Sequence, residues 1–355
     1  MRRPELVLVL IGYGHVGRRV VTLLDQVADR LDFTYRIGGI ATRHHGSALA
    51  PGGVDAARAT ALVGEGLSLD RLETAPRERD GAALIRQALE TFAPEAADGR
   101  LVIVETTLLD VIAGEPATTH VRLALEGRAH VVTANKGPVA FAHHALERLA
   151  ESVDRVFLFE GAVMDGIPLF NLVRETMPAV RVESFRGVVN TTCNYVIGAM
   201  EAGGERAEAV AEMQARGIAE ADPALDLDGW DAAAKAAALA NVLLDGRLTP
   251  RQVERQGITA LTGREVREHL QQGRRVKLVA GGARDPRGGA RAWVRVEALP
   301  AGDPLAGLQG VENAIYLTTD LLGEVGIVQR TGTLTQTAYA IVGDLARISQ
   351  RLREL

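Results

Sequence analysis

The chain has 355 residues, 40 Lys and Arg against 45 Asp and Glu, 47% hydrophobic and 4% aromatic residues, and one cysteine. That length serves two domains that each bury a core, which excludes a disordered tail, and the net charge of −5 gives no global pull toward nucleic acid or anionic membranes. Lone Cys193 forms no internal disulfide and builds no thiolate zinc site, and no segment approaches the ~20 apolar residues of a membrane span, so a cytoplasmic protein with a small-molecule partner is expected.

Residues 6–11 (LVLVLI) are a continuous apolar run and predict a strand buried on both faces. Gly12 breaks it, and Val16, Val20, Val21 and Leu24 follow at helical spacing. Residues 35–41, 101–104 and 130–133 predict further strands, separated by helical stretches such as 82–92 and 117–126. This alternation argues for a doubly wound α/β domain through about residue 150. From Val156 the texture changes to a strand-like VFLFE, a Gly-rich turn, an Ala-rich helix over 229–244 and strands near 293–296, which predicts a second, α+β domain over 151–325. Residues 281–292 read as a surface hairpin or loop. The last stretch, 335–355, has apolar residues at Ala338, Ile341, Val342, Leu345 and Ile348 and predicts an amphipathic helix, so residues 326–355 are expected to return to the first domain.

GYGHVG at 12–17 lies between a buried strand and a helix, as a dinucleotide-binding fingerprint requires. Gly12 permits the turn, Gly14 admits a pyrophosphate, Gly17 lets helix and strand pack, and the helix N-terminus at His15 and Val16 receives the phosphates. An acidic residue normally ends the second strand to meet the ribose of NAD; here the chain reads IATRHH at 40–45. Arg43 suits a 2′-phosphate, so NADP is favoured over NAD. Thr106 and Thr107 follow the 101–104 strand, and Lys136 follows the 130–133 strand, which places all three toward the cofactor at the carboxyl ends of strands. Further on, Asp226 and Asp228 precede Asp231 and Lys235, whose i, i+4 spacing makes them neighbours on one helix face.

With these residues together, the chain resembles homoserine dehydrogenases over almost its whole length. The motifs are TANKGP at 133–138, EGAVMDGIP at 160–168, GVVNTTCNYVIGAM at 187–200 and GIAEADPALDLDGWDAAAK at 217–235, beside the fingerprint. The resemblance implies a Rossmann-type domain joined to a substrate and dimerisation domain, and the NAD(P)-dependent interconversion of L-homoserine and L-aspartate 4-semialdehyde in amino-acid biosynthesis. It implies that Lys235 is the general acid/base, with Lys136 a second candidate for proton transfer. It further implies that Glu220 and Asp231 hold the amino acid, that Asp226 supports them, and that Gly217 lies near the cofactor. Main-chain carbonyls at Glu160, Val163, Asp165 and Ile167 match a sodium site, and a homodimer is implied. One lysine of lowered pKa can remove the hydroxyl proton in oxidation and return it in reduction.

The chain departs from the family pattern in NTTCN at 190–194, where cysteine replaces a threonine and a glycine is lost. It also reads RTGTLTQT at 330–337, where the family has a Gly-rich loop near the nicotinamide; only Gly332 remains. Two other readings stay open: a related dehydrogenase acting on another small amino or hydroxy acid, and a non-catalytic dinucleotide-binding regulator. Cys193 reads as a small buried side chain.

Overall fold

β1 (Glu5–Ile11) is apolar from Leu6 to Ile11 because both faces of that stretch are covered. Leu6, Leu8 and Leu10 share a core with Val20, Leu24, Ile341 and Leu345, while Val7 and Val9 on the opposite face are equally buried. The computed structural model describes residues 3–72, 80–215 and 223–354. These form two compact units, residues 1–168 with 334–355, and residues 169–333.

The first unit is built on β1, β2 (Thr34–Ala41), β3 (Ser47–Leu49), β4 (Leu101–Glu105), β5 (His130–Thr133) and β6 (Phe157–Leu158), in the order β3-β2-β1-β4-β5-β6. All neighbours are parallel except β2 and β3. The strand order reverses between β1 and β4, the switch point at which open α/β sheets bind ligands. VFLFE, which the sequence assigns to the second domain, supplies β6 of this first sheet; two residues of strand are too short to announce their partner. Helix Leu334–Glu354 adds Ala338, Ile341, Val342, Leu345 and Ile348 to the same core. Each large apolar side chain so buried contributes about 1.5–3 kcal/mol.

The second unit has a sheet of β7 (Val182–Val188), β8 (Glu254–Arg255), β9 (Arg274–Arg284), β10 (Ala290–Pro300), β11 (Asn313–Thr319) and β12 (Gly323–Gln329), in the order β12-β11-β7-β9-β10-β8. Its pairs are antiparallel apart from β8 with β10. The expected hairpin over 281–292 is the β9–β10 turn, where Gly288 (φ 100°) and Gly289 (φ 84°) take left-handed backbone. Helix Trp230–Leu243 presents seven buried alanines, at 232–234, 236–238 and 240, and small side chains let it lie close on β9 and β10. A separate apolar cluster of Val188, Val279, Leu299, Leu305, Ala306, Leu308 and Ala314 holds the segment after β10 against the sheet.

Candidate active site

In the first unit the end of β1 turns sharply at Gly12, whose φ is 90°. A Cβ there would stand 2.6 Å from the Thr106 carbonyl carbon and oxygen, and one at Gly17 would stand 2.7 Å from the Gly12 oxygen. Gly14 differs: an added Cβ meets nothing within 4 Å. The space above Gly14 is open, and no side chain caps helix His15–Gln26 at its N-terminus, so its first amides face that space. A bound pyrophosphate needs these two features, and a dinucleotide therefore fits. Thr106 ties the switch point together, since its amide donates to Ile11 O (2.7 Å) and its hydroxyl to Gly12 O (2.7 Å). Thr107 donates through amide and hydroxyl to Glu105, which is fully buried and also accepts from the Thr133 hydroxyl at 3.0 Å.

Lys136 opens helix Lys136–Ser152, whose cap is Asn135. The Asn135 Oδ1 accepts from Gly137 N at 2.8 Å, and its Nδ2 donates to Thr107 O (2.9 Å) and Leu108 O (3.2 Å). The cap thus joins the loops after β4 and β5. Arg43 lies exposed in the loop between β2 and β3, with His44 exposed beside it and the His45 ring against Leu67 O (3.1 Å).

The turn carrying Glu160, Val163, Asp165 and Ile167 follows β6. Within it Ala162 N donates to Phe159 O at 2.9 Å and Ile167 N to Met164 O at 3.1 Å. Glu160 N donates to the buried Asp344 carboxylate at 3.0 Å, and Asp165 accepts from the Thr337 hydroxyl at 3.1 Å. Asp165 has φ 52°.

In the second unit the charged residues come together around Asn190, the cap of helix Thr191–Glu201. Its Oδ1 accepts from Cys193 N (2.8 Å), which leaves Nδ2 to donate to Asp226 Oδ1 (2.7 Å) and Asp231 Oδ2 (3.0 Å). One amide therefore bridges two carboxylates. Lys235 Nζ lies 3.4 Å from Asp231 Oδ2 and donates to Val189 O at 2.6 Å. Burial, and then the Asp231 charge, push the Asp226 carboxyl above its ordinary range. Cys193 is completely buried, with Sγ 3.2 Å from Asp226 O, and burial pushes its thiol well up, so it is an inert packing group as its surroundings require.

The Asp226–Lys235 segment is braced from outside. Gly229 takes φ 78°, Arg255 lies over the Trp230 ring at 3.9 Å and donates to Asp228 O, and Ile258 N donates to Leu227 O at 2.7 Å. Gly217 and Glu220 lie outside the described residues. Gly332 sits half-buried two residues before helix Leu334–Glu354. The sequence reading did not assign roles to Asn190 or Val189; the one available signal was an asparagine directly before a helical stretch. In neither unit does the structure describe a helix long and apolar enough to cross a membrane, among the described residues.

Residues 168–346 match the homoserine dehydrogenase family model. An NAD(+)-dependent homoserine dehydrogenase of Pseudomonas canavaninivorans is 35% identical over 98% of this chain and 97% of its own. A homoserine dehydrogenase of Methanocaldococcus jannaschii is 31% identical over 96% of this chain and 98% of its own. The crystal structure of homoserine dehydrogenase from Thermoplasma acidophilum superposes with a TM-score of 0.79 at 25% identity, covering 98% of this chain and 99% of that one. With near-complete coverage in sequence and structure, the chain belongs to the homoserine dehydrogenase family, oxidoreductases that act on a CH–OH group with NAD(P).

Proposed function

We propose that Lys235 is the acid–base group in the interconversion of L-homoserine and L-aspartate 4-semialdehyde, with Lys136 as a second proton-transfer group. The observation that carries this reading is the Asn190 amide holding Asp226 and Asp231 together beside the Lys235 ammonium. Bound nicotinamide supplies the two-electron acceptor or donor. In oxidation the neutral Lys235 amine takes the hydroxyl proton of the substrate, and in reduction its ammonium gives the proton to the forming alkoxide. Asp231 and Asp226, with Glu220, meet the substrate ammonium. Lys235 Nζ donates to the Val189 carbonyl, which restrains the head of the side chain beside Asp231.

Gly12, Gly14, His15, Val16 and Gly17 hold the pyrophosphate, while Thr106, Thr107, Lys136, Gly217 and Gly332 line the rest of the dinucleotide. We assign the preference to NADP on the exposed Arg43 and the missing carboxylate after β2. Carbonyls of Glu160, Val163, Asp165 and Ile167 are hard oxygen donors suited to sodium. A homodimer in the cytoplasm completes the assignment, and the exposed Leu321, Leu322 and Val328 on the β11–β12 hairpin support the self-association.

The test is absorbance at 340 nm with L-homoserine and NAD or NADP in parallel, with and without sodium. Lys235→Ala should lower kcat by about 10²–10⁴, the range of general acid–base catalysis, and leave cofactor titration unchanged. Near-normal turnover in that variant sinks the role of Lys235. Turnover with another small hydroxy acid in place of homoserine would favour the related-dehydrogenase reading, given the altered loop around Gly332.

A further inference from the structure

We propose a transition-metal site on helix Lys136–Ser152, formed by His143, His144 and Glu147, for a borderline divalent cation of the Zn²⁺ or Ni²⁺ class. It does not depend on the catalytic assignment above. Glu147 follows His143 by four residues and His144 by three, the spacings that make one residue a neighbour of both on a helix. The donor atoms of all three lie within 4.8 Å of one another.

His143 Nε2 and Glu147 Oε2 are 3.4 Å apart. Metal–ligand bonds of 2.0–2.1 Å in a tetrahedron put neighbouring donors about 3.3 Å apart, so this pair already spans one tetrahedral edge. His144, whose donor lies within 4.8 Å of the other two, completes the face when its ring nitrogen closes to about 3.3 Å. Its ring stands 5.0 Å from that of His143, tilted by 58°.

The first ligand is fixed in place. His143 is 5% exposed, and its ring packs edge-on to Phe159 with centroids 5.4 Å apart and an angle of 86°. Holding one imidazole by packing removes part of the ordering cost of binding. His144 and Glu147 are half-buried at the outer side, which leaves the fourth position to water. Two imidazoles and one carboxylate select Zn²⁺, Ni²⁺, Co²⁺ or Cu²⁺ over Mg²⁺ and Ca²⁺, which take oxygen ligands. A metal clamped across residues one turn apart stabilises this helix, because it binds the folded arrangement more tightly than the unfolded chain.

The experiment uses the full chain without an affinity tag, stripped with EDTA, desalted and titrated with ZnCl₂ against a chromophoric chelator. One equivalent of Zn²⁺ is expected to bind and to raise the thermal midpoint. Because His143 is a packing residue, the deciding variants are His144→Asn and Glu147→Gln. Each should weaken Zn²⁺ by at least the roughly 10–100-fold that loss of a mere outer-shell partner costs, and each should abolish the thermal shift. The double variant His44→Asn with His45→Asn, which removes the other adjacent histidine pair, should bind like the parent. Unchanged affinity in His144→Asn and Glu147→Gln, loss of binding in the His44/His45 variant instead, or no bound equivalent in the parent would overturn the proposal.

Discussion

Replacing Asn190 separates two jobs that one side chain performs. In Asn190→Ala the helix cap on Cys193 N and both hydrogen bonds to Asp226 and Asp231 are lost. A lost cap costs about 1 kcal/mol, and each hydrogen bond to a charged acceptor about 1.5 kcal/mol at the low end, since water reaches this site. The expected destabilisation is about 4 kcal/mol. Asn190→Asp keeps the cap, because aspartate caps helices as well as asparagine does, yet it sets a third carboxylate against two. Those oxygens stood 2.7 and 3.0 Å from the asparagine amide. At 3 Å and an effective dielectric of 20, each like-charge pair costs about 5.5 kcal/mol. That exceeds the cap contribution, so the carboxylates must spread or take up a proton. Steady-state rates at 340 nm and thermal unfolding, both followed from pH 5 to 9, should therefore show the greater loss of kcat/KM in Asn190→Asp. Its stability deficit should narrow toward acid, as the added carboxyl is protonated, while that of Asn190→Ala changes little. Wild-type kcat/KM in both variants, or a deficit in Asn190→Asp that widens in acid, would refute the bridging role.

Gly14→Ala should fold normally, since its φ is −77° and the new Cβ meets no protein atom within 4 Å, but should weaken cofactor titration. Gly12→Ala should instead fold poorly, because its Cβ collides with the Thr106 backbone; equal cofactor loss with equal thermal midpoints in the two would contradict this geometry. Asp226→Asn should raise the thermal midpoint at neutral pH while lowering activity. The carboxyl of Asp226 titrates above its ordinary value, so the folded chain holds that proton more tightly than the unfolded one, and stability is lost as pH rises through the folded value. The difference between parent and variant should accordingly shrink in acid, as measured by thermal melts across pH. Lys277, buried among neutral acceptors and hydrogen-bonded to Asn194 Oδ1 at 2.9 Å, has its pKa lowered by burial to about 8. Between that value and the ordinary 10.5 the folded chain binds fewer protons than the unfolded one, so stability rises with pH there. The thermal midpoint of the parent should gain on that of Lys277→Met over this window, and parallel pH profiles would count against it.

Local pattern made much of this legible. The run at 6–11, the glycines at 12–17 and the Asp231–Lys235 spacing each lie within one or two turns of chain, and the structure puts β1, the Gly12 turn and the 3.4 Å ion pair where that pattern points. What escaped was long-range or hidden by chemistry. Asn190 reaches carboxylates 36 and 41 residues away, a meeting that requires the sheet and helices of the second unit to be folded first. Glu105, a charged residue at a strand end, looks like a ligand-facing group, yet it is fully buried and satisfied by Thr107 and Thr133. Lys277 interrupts an apolar strand, and only the structure reveals that Asn194 and the Leu308 carbonyl receive its ammonium. β6 is two residues long, which is too little periodicity to assign it to a sheet.

The first unit draws its core from both sides of the second in sequence, because Ala338, Ile341 and Leu345 pack with Leu6, Leu8 and Val20. During synthesis, residues 1–168 therefore leave the ribosome with an open apolar seam that the helix Leu334–Glu354 later closes. At ~5–20 residues per second the intervening segment takes on the order of ten seconds or more to be made. The second unit is contiguous and can complete its core first. The first unit is therefore the part of the nascent chain most exposed to aggregation and most in need of chaperone cover.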